Sequence, residues 1–81
     1  MKRFVIEYAN FQISRLEKEQ KAALLCAAPE NVIFTNNAYN RAIQEIDRAV
    51  RLCELGYTTI DETMRIISEP FAAVPELKQE G

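Results

Sequence analysis

The sequence predicts an all-α protein: a long helical hairpin with a short third helix folded against its open end. Three observations carry that prediction. The chain has two glycines and three prolines in 81 residues, and Pro29, Gly56 and Pro70 fall between segments, where helix breakers belong. Apolar residues recur at a 3-4 spacing along two long stretches. Thr59 is followed three positions later by Glu62, the sequence form of a capping box.

The first helix is expected at about 2–27, a stretch without Gly or Pro. Ile6, Ala9, Ile13, Leu16, Ala23 and Ala27 set its apolar face, which Gln20 interrupts. A competing reading makes Arg3–Tyr8 a short strand, because Phe4, Ile6 and Tyr8 alternate with Val5 and Glu7. Pro29 ends the helix by removing a donor and crowding the preceding turn.

Val32, Ile33, Phe34 and Thr35 are β-branched or aromatic and favour an extended backbone in isolation. The second helix is therefore expected at about 37–55, with Asn36 or Asn37 as its cap. A variant runs this helix from Pro29 straight through Asn36 and gives two arms of nearly equal length; the β-branched run disfavours it. Strands at 3–8 and 32–35 together define an α+β alternative. Tyr39, Ala42, Ile43, Ile46, Ala49, Val50 and Cys53 form the apolar face of the second helix, and Gly56 ends it in a left-handed cap.

The third helix is expected at about 59–69, with Ile60, Met64 and Ile67 as its buried stripe and Pro70 as its stop. The helical domain is then 1–69. Residues 70–81 read as a flexible C-terminal tail in which Phe71, Val74 and Leu77 are available to a partner. An antiparallel hairpin puts Cys26 near the turn and Cys53 near the base. At about 1.5 Å of rise per residue they stand roughly 30 Å apart, too far for a disulfide. Both thiols are expected to be buried and reduced.

Apolar residues make up 48% of the chain, more than two or three amphipathic helices need internally. A chain this short buries only about 60% of its unfolded surface. Self-association into a homo-oligomer, together with another protein partner, is the expectation that follows. Charge runs from +2 over residues 1–27, through −1 over 28–57, to −3 over 58–81. That gradient supplies no dense basic patch, and in the third helix Arg65 stands alone against Asp61, Glu62 and Glu69. Duplex DNA is accordingly a poor partner. No run of about 18 apolar residues offers a membrane span, and Glu7 interrupts the stretch a signal peptide needs, so a cytoplasmic protein is expected.

Catalytic machinery is not apparent. The chain has no histidine, its cysteines lie far apart in sequence, and two glycines cannot build a phosphate-cradling loop. Glu17 and Glu19 do not share a helix face, and Asp61 and Glu62 suit the positive end of a helix dipole. No catalytic residue, metal or cofactor is predicted.

Two binding surfaces stand out. Phe4, Tyr8 and Phe11 recur at 4-3 spacing beside the core face and suit a partner or oligomer interface. Asn36, Asn37, Tyr39, Asn40 and Arg41 gather amides, a guanidinium and a ring at the expected start of the second helix, a setting for a nucleotide-like anion. The expected function is non-enzymatic: protein–protein interaction as an inhibitor, adaptor or assembly subunit, of a kind common in phages and mobile elements. The alternatives are sequestration of a nucleotide-like ligand at 36–41, and a DNA-binding regulator or antitoxin.

Overall fold

A computed structural model describes residues 2–73. It contains helices α1 (Lys2–Cys26), α2 (Val32–Glu54) and α3 (Ile60–Ser68), with 3-10 turns at Pro29–Asn31 and Pro70–Ala73. The protein is all-α, and no strand occurs among the described residues. Residues 3–8 belong to α1 and 32–35 to α2, so neither strand of the α+β alternative forms.

Helices α1 and α2 make the hairpin. Val5, Ala9 and Leu16 are buried from α1, and Ala38, Ala42, Ile46, Ala49 and Cys53 from α2. Alanine at four of these α2 and α1 positions lets the helix backbones approach closely, since the separation of packed helices follows side-chain size. The buried stripe of α1 is rotated from the expected one: Val5 and Gln12 are enclosed, while Ile6 and Ile13 are only half-buried. The rotation follows from α3, which packs on the Tyr8 and Gln12 side of α1 and extends the enclosed surface in that direction.

The second helix starts at Val32, ahead of the expected 37. Ala28 is extended (φ −65°, ψ 149°) and Pro29 follows it in the first position of the 3-10 turn, which Asn31 N–H closes on the Ala28 carbonyl at 2.8 Å. Proline's fixed φ pre-forms that turn, which runs directly into α2. The preference of Val, Ile and Thr against helix is only a few tenths of a kcal/mol per residue, roughly, and one more hydrogen-bonded turn outweighs it. The arms are thus of nearly equal length, 25 and 23 residues. Asn31, not Asn36 or Asn37, holds the cap position, and its side chain makes no capping bond.

At the far end of α2, Gly56 N–H donates to the Cys53 carbonyl (3.0 Å) and Tyr57 N–H to the Leu52 carbonyl (2.9 Å). This pair of bonds is a Schellman motif, and it requires the left-handed φ of 87° that Gly56 adopts. Helix α3 begins as its sequence announces, with Thr59 Oγ1 accepting from Glu62 N–H at 3.1 Å. Ile67 is fully buried, and Ile60 and Met64 are partly so. Thr63 is also fully enclosed, its hydroxyl donating to the Thr59 carbonyl at 2.8 Å.

The packed chain extends past 69. Pro70 is buried, and the Phe71 ring meets Tyr39 edge-on, with centroids 5.2 Å apart and planes at 89°. The turn Pro70–Ala73 therefore lies on α2 with the domain rather than with the tail. Val74 and Leu77 lie outside the described residues.

Candidate functional site

Helix α3 covers only the base half of the hairpin, and that asymmetry decides which surfaces stay open. Gln12 Nε2 donates to the Ile67 carbonyl at 3.1 Å. That carbonyl is in the last turn of α3, where no intrahelical donor reaches it. Four residues earlier, Tyr8 OH and Ser68 Oγ are hydrogen-bonded at 3.1 Å. These two bonds pin α3 to α1.

The predicted aromatic trio is divided by this arrangement. Tyr8 is half-buried and engaged with α3, whereas Phe4 and Phe11 point outward, 62% and 63% exposed. Phe4 and Phe11 are seven residues apart and so share one face; Tyr8 sits to the side of it.

The predicted anion site is also redistributed. Gln20 Nε2 donates to Asn36 Oδ1 (2.8 Å) and Asn40 Oδ1 (3.0 Å), joining the two arms near the turn. Tyr39 faces Phe71. Asn37, Asn40 and Arg41 do line one hollow of about 640 Å³, together with Phe34, Ala38, Gln44 and Glu45. Because α2 begins at Val32, however, the backbone N–H groups of 36–41 bond within the helix, and its unbonded donors are those of the first turn. The site lacks the helix-terminal donors on which the anion argument depended, and Glu45 adds a carboxylate to it.

Large apolar side chains are exposed at both ends of the hairpin, Leu55 and Tyr57 just past α2 at the base and four residues at the tip. Leu25 is 88% and Ile33 75% exposed, with Val32 and Phe34 less so. Beside them a hollow of about 400 Å³ is lined by Ala23, Cys26, Ala27, Ala28, Asn31, Phe34 and Thr35. Cys26 is exposed there, contrary to the buried thiol expected, while Cys53 is buried near the other end of the hairpin, and both are free. Leu25 lies off the apolar stripe, and Val32–Thr35 resembled a strand, so neither segment suggested a surface. Their common signal is four large apolar residues within ten positions flanking Pro29.

Among the described residues no group of three metal-ligating side chains comes together, and no helix is long and apolar enough to cross a membrane. No family model, curated protein or solved structure matches the chain significantly.

Proposed function

We propose that this chain is a non-enzymatic helical binding protein, an inhibitor, adaptor or assembly subunit, that self-associates and engages another protein through the tip of its hairpin. The observation that carries this reading is the run of exposed apolar side chains Val32, Ile33 and Phe34 at the start of α2. Large apolar side chains gathered at one place on a small domain mark an interaction surface, whereas scattered ones do not. Beside that patch the Cys26 hollow, floored by alanines, offers space for a partner's side chain. Cytoplasmic residence and an origin in a phage or other mobile element belong to the same proposal.

A photo-crosslinking side chain placed at Ile33, and in a parallel sample at the exposed Glu62 of α3, tests it. A discrete heterologous adduct formed at Ile33 and lost on Val32→Ser is the expected outcome. Equal labelling at both positions, or none, overturns the tip as the binding surface.

The hollow at Asn37, Asn40 and Arg41 supports a second reading, a nucleotide-like ligand. Calorimetric titration with ATP and GTP separates the two. Saturable binding abolished by Asn37→Ala and unaffected by Val32→Ser would favour the ligand. A DNA-binding regulator predicts instead an affinity for duplex that falls steeply with added salt.

A further inference from the structure

The face of α1 turned away from the core carries Phe4, Glu7, Phe11, Ser14, Lys18, Lys21 and Leu25, all exposed. Their 3-4 spacing continues through three heptads, the pattern of a two-helix seam. None of it is covered by α2 or α3. Large apolar groups occur at both ends, Phe4 and Phe11 in one half and Leu25 in the other, and the small Ser14 lies midway.

We propose that this face pairs with the same face of a second copy, with the two α1 helices antiparallel about a twofold axis near Ser14. The proposal rests on the self-association put forward above and specifies its surface. Charge selects both the occupant and the orientation. The N-terminal half of the face bears one carboxylate, Glu7, and the C-terminal half two ammonium groups, Lys18 and Lys21. Antiparallel pairing sets each half against its complement. It brings Glu7 within reach of the partner's Lys21, lays the Phe11 ring over the stem of the partner's Lys18, whose cation favours an aromatic face, and seats Phe4 against the partner's Leu25. Parallel pairing opposes Glu7 to Glu7 and lysine to lysine, which is repulsive on both counts.

The face is available for this. Neither Lys18 nor Lys21 makes an ion pair among the described residues, and Glu7 makes only an exposed contact with Arg3 at 3.7 Å, worth little in water. Ser14 at the centre permits the helices to approach. An isologous contact of this type closes on itself and ends at the dimer. It leaves Ile33 and Phe34 of the tip for a different partner.

Sedimentation equilibrium of the full chain tests the proposal with three variants. The wild type is expected at twice its 9.3 kDa chain mass. Phe4→Ser with Phe11→Ser should weaken the dimer by about tenfold or more, the loss typical of removing interface aromatics. Glu7→Lys alone should weaken it, and combining Glu7→Lys with Lys18→Glu and Lys21→Glu should restore it, because opposite charges again face one another. Restoration also shows that the variants fold. A dimer indifferent to all of these changes overturns the α1 pairing but leaves self-association standing. A wild-type monomer at every concentration overturns both. Weakening by Glu7→Lys without restoration by the triple change overturns the antiparallel orientation.

Discussion

Around Ile46 and Ile67, in the base half of the hairpin, three helices contribute to one enclosed core, and polar side chains close its edges. Around Leu25 and Ile33, at the tip, only two helices meet and large apolar groups face water. The same pair of helices is thus enclosed where α3 lies on it and open at the tip, while Phe4, Leu55 and Tyr57 are exposed around the rim of the base. The difference comes from α3, a helix of nine residues. Its length and its start at the base limit what it can shield.

If the base is where stability resides, Ile67→Ala should have the largest effect. Removing a fully buried isoleucine costs about 2–5 kcal/mol, a large fraction of what a domain this small possesses. Urea unfolding followed by circular dichroism measures it, and a loss below about 1 kcal/mol would mean that α3 is not part of the cooperative core. Gln12→Ala comes next at about 1–2 kcal/mol, since it leaves the enclosed Ile67 carbonyl without its donor. Its mark in hydrogen exchange is faster opening of α3 than of α2 near Ala42.

Gln20→Ala probes the boundary between the halves. Loss of its bonds to Asn36 and Asn40, which are partly exposed, should cost about 0.5–1 kcal/mol and speed exchange in the tip without altering α3. Smallest of all is Ile33→Ser, which should change the stability of the isolated chain by within about 0.5 kcal/mol. A loss as large as that of Ile67→Ala would show that the tip is a second core and remove the contrast between the ends.

Local chemistry in the sequence foretold much of this. The Thr59 cap, the Gly56 terminator and the face of α2 depend on residues close together in the chain, and each forms as expected. What was not legible depends on distant partners. Val32–Thr35 carries a real but weak preference for extended backbone, and the turn set by Pro29 overrides it. Gln20 looked like a break in a stripe because its partners, Asn36 and Asn40, are on the other arm. Tyr8 could not be separated from Phe4 and Phe11 until α3 had a position, since all three share the same local pattern. The backbone donors expected at 36–41 were misplaced for a related reason: moving the helix start from 37 to 32 changes which N–H groups are left without an intrahelical partner.

The ties between elements also differ in how much chain they enclose. Gln20 and Asn36 are 16 positions apart, whereas Gln12 and Ile67 are separated by 55 and Tyr8 and Ser68 by 60. Closing the longer loop costs about 1 kcal/mol more in chain entropy. Contacts close in sequence also form sooner in folding. The hairpin tip is therefore expected to close first and α3 to arrive last, so pulse-labelled amides in α2 near Ala42 should gain protection before those of α3. The part of the molecule with the least covering would then be the earliest to reach its final shape, and its apolar side chains would face the solvent throughout folding.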